Sequence, residues 1–118
     1  MIKLLGIPHD ENSSHLKGCA LAPPQIRLMD KEGSANRFAE NGLEIVEGEN
    51  YLDLGDISFE DSNSEKAFHT IRENVAKYLI DNDKLIFFGG DHSVTYPIID
   101  AYSEKYEKLN ILHFDAHP

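Results

Sequence analysis

The chain has a single cysteine, Cys19, so no intrachain disulfide framework can form. A lone thiol among small residues in a polar loop reads as inert rather than nucleophilic, and a reducing cytoplasm is the compartment it suits. Runs of lysine and arginine are missing as well. With 11 basic residues against 21 acidic ones and a formal net charge of -10, there is no basic face for phosphate contacts, and nucleic acid is excluded as an expected partner. No apolar stretch approaches the roughly 20 residues a membrane helix needs, and the run at residues 1–7 is too short for a secretory signal, so no membrane partner is expected. Internal repeats and low-complexity tracts are absent. The Gly89-Gly90 pair lacks both the spaced glycines of a dinucleotide loop and a nearby lysine, so it reads as a place of close backbone approach rather than a phosphate cradle.

What is present is 118 residues, 41% of them hydrophobic, which suits one soluble globular unit. Pro118 follows directly on Asp115-Ala116-His117 without a polar tail, so residues 1–118 are expected to be the N-terminal part of one α/β domain whose remainder is absent.

Apolar runs at Ile2 to Ile7, Tyr51 to Ile57, Leu85 to Phe88 and Asn110 to Ala116 predict strands, and Leu43 to Glu47 is apolar and β-branched at intervals. Between them lie helical intervals. Pro23-Pro24 can open a helix over Gln25 to Asp30, because their missing amide hydrogens fall where no intrahelical bond is made. Ser62 followed by Glu65 has the capping-box pattern, and Phe68, Ile71, Val75, Tyr78 and Leu79 recur at helical spacing, predicting a helix to about Asp81. A third helix is predicted between Ser93 and Tyr106, with Pro97 in its first turn and Tyr96, Ile98, Ile99, Tyr102 and Tyr106 packing on the sheet. Strands alternating with helices predict a doubly wound, mainly parallel sheet with helices on both faces.

Chemistry concentrates at two strand ends. In such sheets ligands collect beyond the carboxyl ends of the strands, which places His92, Asp115 and His117 together as candidate metal ligands. Asp115 and His117 are two apart, so in extended backbone they point the same way. Imidazole and carboxylate together suit divalent zinc, manganese, iron or nickel, whereas magnesium or calcium would take oxygens alone. Asp115 has two oxygens and could bridge a pair of cations, but three side chains cannot complete two coordination shells. His113 shares the parity of Asp115 and reads as a core histidine or one that hydrogen-bonds to a ligand. Asp91 reads as a helix cap or a partner of a ligand, Asp53 and Asp56 as turn-holding residues, and His9, His15 and His69 as surface residues.

Gly89-Gly90-Asp91-His92-Ser93 followed by Asp115-Ala116-His117 resembles the two metal motifs of the ureohydrolases: arginases, agmatinases and formimidoylglutamases. Gly6-Ile7-Pro8-His9-Asp10, the segment from Gly18 to Arg27, and Asp53-Leu54-Gly55-Asp56 resemble that family's N-terminal landmarks in order. The resemblance covers nearly the whole chain and implies a three-layer α/β/α fold. It also implies two Mn2+ ions per complete site, with His92 and His117 as terminal ligands and Asp115 as the bridge. The implied reaction is hydrolysis of a cationic guanidino compound with release of urea, agmatinase-like first and arginase- or formimidoylglutamase-like second, by a homo-oligomer when full length. Further aspartate ligands and the proton-transfer residues are expected beyond Pro118, so catalytic residues are not assigned, and the fragment itself is expected to be inactive. The competing reading is a non-catalytic acidic α/β module for metal binding or assembly, whose all-oxygen site would have no use for His92 and His117.

Overall fold

The computed structural model describes residues 1–33, 35–60, 63–79 and 83–116. Its elements alternate as β1 (Ile2–Ile7), α1 (Ala22–Lys31), β2 (Tyr51–Asp56), α2 (Ser64–Tyr78), β3 (Lys84–Gly89) and α3 (Thr95–Lys105), with short 3-10 turns at Cys19–Leu21 and His92–Val94. The strands run parallel in the order β2-β1-β3, with Ile2 opposite both Tyr51 and Lys84. A helix follows each strand, as parallel pairing requires.

β1 is the central strand, and its alternation distributes the layers. Leu5 and Ile7, 2% and 0% exposed, face α2 and α3 and join Ile57, Ile71, Val75, Leu79, Val94 and Ala101 in the core. Leu4 and Gly6 face α1 instead. There Leu4 lines a small cavity with Ile26, Arg27 and Phe88. The sheet is therefore doubly wound with helices on both faces, as the strand-helix alternation predicts.

α2 forms because Ala67, Ile71 and Val75 fall on one face at four-residue spacing, and all three are fully buried. Burying an Ile or Val side chain contributes about 1.5–3 kcal/mol. Its cap is Asn63, whose side-chain oxygen accepts from the backbone N–H of Glu65 at 3.0 Å and Lys66 at 3.4 Å. Ser62, the expected capping residue, and Asp81, the expected end, lie outside the described residues; the helix itself ends at Tyr78. α1 begins at Ala22, earlier than Gln25, because both prolines fit the first turn.

Arg27 ties α1 to the end of β2. Its Nε and one terminal nitrogen donate to the two Asp53 oxygens at 2.6 and 2.8 Å, the same nitrogen reaches the Gly55 carbonyl at 3.0 Å, and the other terminal nitrogen pairs with Asp56. The guanidinium also lies 5.8 Å from the centre of the Phe88 ring. A bidentate fork of this kind explains why Asp53 and Asp56 serve the turn and not a metal. Gly6 is required beneath it, since a Cβ there would lie 1.8 Å from the Asp56 carboxylate.

Leu43 to Glu47 forms isolated bridges, Phe38 to Glu44 and Glu47 to Tyr51. Two expectations differ. Tyr96 and Tyr106 do not pack on the sheet, being 66% and 41% exposed at the two ends of α3, while Tyr102 and Ile98 do pack against the core. The segment from Asn110 to Ala116 forms no strand. Ile111, Leu112 and Phe114 are 62%, 83% and 87% exposed, and among the described residues no strand pairs with this segment.

The loops after β1 and β3 meet at one point. The His9 carbonyl accepts from Asp91 N–H at 2.9 Å, and a Cβ on Gly90 would lie 1.9 Å from that same carbonyl oxygen. Replacing Gly90 with Ala is accordingly expected to cost about 2 kcal/mol or more in urea unfolding, through forced displacement of backbone. Arg27→Gln is expected to cost about 2 kcal/mol at neutral pH, as hydrogen bonds to two carboxylates are lost. The Arg27 hydrogen bonds, with the Gly55 amide, hold the Asp53 carboxyl below its ordinary 3.8. Their stabilisation is complete above that value and is lost as the pH falls below it, so the difference between wild type and Arg27→Gln should shrink on acidification.

Candidate metal centre

β3 ends at Gly89, and His92 opens the short 3-10 turn that follows. Asp91 fixes that turn. Only 8% exposed, its carboxylate accepts from the backbone N–H of Ser93 and of Asn12, each at 2.9 Å, and from the Ser93 hydroxyl. Asp91 thus caps the turn that begins at His92 and pins the loop after β1 beside it. Asn12 extends the tie through its side chain, donating to Ser93 Oγ at 3.2 Å and accepting from Ser64 Oγ at 2.9 Å.

The same loop is closed on itself by Asp10, whose carboxylate accepts from the amides of Gly18 at 2.6 Å and Ala20 at 3.2 Å. Those two backbone hydrogen bonds hold the Asp10 carboxyl below its ordinary value. Between this loop and the His92 turn lies a cavity of about 490 Å³, whose lining includes Ser13, His15, Cys19 and His92. A wider cavity of about 740 Å³ opens beside the start of α2, but its lining includes neither His92 nor Asp115.

His92 and Asp115 lie together, though not at the ends of neighbouring strands. His92 Nδ1 stands 3.2 Å from Asp115 Oδ2. The carboxylate is only 17% exposed, while the imidazole is 52% exposed and open to solvent. His117, the third expected ligand, lies outside the described residues.

His113 joins the group. Its Nε2 is 3.6 Å from Asp115 Oδ2, its ring centre is 5.2 Å from that of His92, and it is 55% exposed, so it is not a core histidine. The signal for it was its parity with Asp115, two residues apart in extended backbone. His9 departs in the opposite direction. Read as a surface residue, it is 4% exposed, packed 5.4 Å from Phe59 and 6.3 Å from Phe68, with Nε2 buried and unpartnered. Nothing in its neighbours in sequence marks this burial, which arises because Gly90 lets the loop after β3 press against it. His69 is exposed as expected and pairs with Glu73 at 3.2 Å.

Two imidazoles and a carboxylate, with one donor atom from each within 4.8 Å of the others, form a donor set for a divalent transition metal. Nitrogen and oxygen atoms about 2.0–2.2 Å from a common ion stand roughly 3–3.5 Å apart, close to the separations around Asp115 Oδ2. The residues present fit a metal.

A family model described as the Arginase family matches residues 1–118. Arginase 1, mitochondrial, of Oryza sativa subsp. indica is 38% identical over 123 residues, covering 98% of this chain and 36% of that protein. An agmatinase of Chromobacterium violaceum is 34% identical over 117 residues, with 98% and 36% covered. The chain thus spans 36% of the length of these relatives. Among solved structures, the arginase from Medicago truncatula superposes with a TM-score of 0.87 at 34% identity, covering 99% of this chain and 39% of that one. The formimidoylglutamase of Bacillus subtilis superposes at 0.75 with 28% identity, covering 87% and 32%. Sequence and fold agree along the full run of residues, and the chain belongs to the arginase family.

Proposed function

We propose that this chain supplies the first metal-binding part of a hydrolase that cleaves a linear amidine and releases urea from a cationic guanidino compound. The observation that carries the proposal is the approach of His92 Nδ1 to Asp115 Oδ2, 3.2 Å apart beyond the carboxyl end of β3. His92, Asp115 and His117 would hold manganese, with further ligands supplied from outside residues 1–118. When bound, the ions supply Lewis-acid polarisation and a nucleophile of lowered pKa at neutral pH.

The chain's own residues prepare that site. Asp91 holds the His92 turn in place, the Asp115 carboxylate is largely shielded from water, and the pinned loop of residues 9–22 walls the adjoining cavity. A net charge of -10 favours approach of a cation over an anion. Agmatine is the substrate favoured by Gly6-Ile7-Pro8-x-Asp10 and Pro23-x-x-Ile26-Arg27. L-Arginine is the second reading, favoured by the 38% identity to a protein named arginase.

Urea release by the full-length gene product loaded with Mn2+ should be measured with agmatine and with L-arginine. The expected result is turnover of one of them and a fall of at least about 100-fold in His92→Ala. Turnover untouched by that substitution would contradict the metal role, and no urea from any guanidino compound would contradict the reaction. Residues 1–118 alone, with too few ligands for two shells, are expected to hold no tight pair of ions. Elemental analysis after dialysis finding two ions per chain would contradict this.

A further inference from the structure

We propose that Asn12 is a positioning residue for His92: its side chain joins Ser64, Ser93 and Asp91 into one hydrogen-bonded relay that fixes the turn carrying His92 and so sets how tightly the site takes its metal. This rests on the preceding reading in taking His92 as a metal ligand; the role of Asn12, and of α2 through Ser64, goes beyond it.

His92 does not hold its own position. Its imidazole is 52% exposed and it opens a 3-10 turn of three residues, so the direction of its side chain follows that turn. The turn is held by the residues on either side of His92. Asp91 is 8% exposed, and its carboxylate only accepts: Oδ1 takes the Ser93 amide at 2.9 Å and the Ser93 hydroxyl, and Oδ2 takes the Asn12 amide at 2.9 Å. Because the Ser93 hydroxyl gives its hydrogen to Asp91, its oxygen is left to accept, and Asn12 Nδ2 donates to it at 3.2 Å. Asn12 Oδ1 in turn accepts from the Ser64 hydroxyl at 2.9 Å. Hydrogens therefore run one way, from Ser64 through Asn12 and Ser93 to Asp91, and each bond polarises the next.

Asn12 is the member of the four that touches all the others. Its partners Ser64, Asp91 and Ser93 lie 52, 79 and 81 positions away, so one side chain and its amide bind the loop after β1 to the first residue of α2 and to the turn after β3. Clamping the loop alone would need only the backbone N–H on Asp91. The side chain adds the two bonds that brace Ser93, next to His92, against α2. Alanine at this position keeps the loop pinned through its amide and removes the brace.

The full-length gene product and its Asn12→Ala and Ser64→Ala variants should be compared for Mn2+ affinity by equilibrium dialysis and for thermal unfolding in the metal-free form. Partners bonded directly to a metal ligand change affinity about 10–100-fold; Asn12 acts one residue removed, so binding is expected to weaken about tenfold in Asn12→Ala and about threefold in Ser64→Ala. The bonds removed are solvent-exposed, so the metal-free melting midpoint is expected to fall by no more than about 3 °C. Saturating Mn2+ should return urea release by Asn12→Ala to within about twofold of wild type, because mass action refills a weakened site. Affinity indifferent to both variants would overturn the inference, as would a metal-free midpoint lowered in step with affinity so that excess Mn2+ restores nothing. In that event, loss of Mn2+ binding in His92→Ala still upholds the metal centre of the proposed function, whereas unchanged binding in His92→Ala sinks both.

Discussion

The structure depends on a contact between two loops that are far apart in sequence. After β1, the His9 carbonyl turns toward the loop that leaves β3; after β3, Gly90 offers no side chain and Asp91 donates its amide at 2.9 Å. β1's chain then departs to α1 on one face and β3's to α3 on the other, which opens a crevice between their carboxyl ends. The carboxylate of Asp91 closes the junction from the other side through Asn12 and the Ser93 amide. Because His92 is the residue immediately after Asp91, its position is set by backbone hydrogen bonds rather than by its own packing. A half-exposed histidine can therefore be held where chemistry needs it.

The two faces of the sheet are stabilised by different physics. Under α2 and α3 the contacts are apolar and dry, built on Leu5, Ile7, Ile71 and Val75. Under α1 the dominant element is the Arg27 fork on Asp53 and Asp56, where a cation among acids is matched geometrically as well as by charge. At the opposite end of the sheet the Met1 amine and Lys3 pair with Asp83 at 2.7 and 2.8 Å, holding its carboxyl down to about 2. These cations are spent on structure. The rest of the surface remains strongly acidic, in keeping with a cationic ligand and with a metal centre.

Much of the fold was legible because periodicity survives without tertiary context. β1 and α2 bury a face, and β2 and β3 cover one in part through Leu54, Leu85 and Phe87, with a spacing that shows in the residues themselves, and the prolines marked where α1 opens. What was not legible depends on partners distant in sequence. The run from Asn110 to Ala116 has the composition of a buried strand, yet a strand exists only with a ladder partner, and none of the described residues supplies one. His9 looked like a loop residue and is buried because Gly90, 81 positions later, allows the approach. Asn63 caps α2, and the Ser62 that the pattern marked lies outside the described residues. At the candidate metal centre the expectation of strand ends pointed to His92 and Asp115, while His113 was visible only as a parity match; its exposure and its approach to Asp115 needed coordinates.

The central claim is that side chains from two unladdered segments converge on a cation. Anomalous scattering from crystals of this chain grown with Mn2+ tests it most directly. The expected result is a peak within about 2.0–2.3 Å of both a His92 ring nitrogen and an Asp115 carboxylate oxygen. Manganese density elsewhere on the acidic surface, with His92 and Asp115 turned apart, would contradict it.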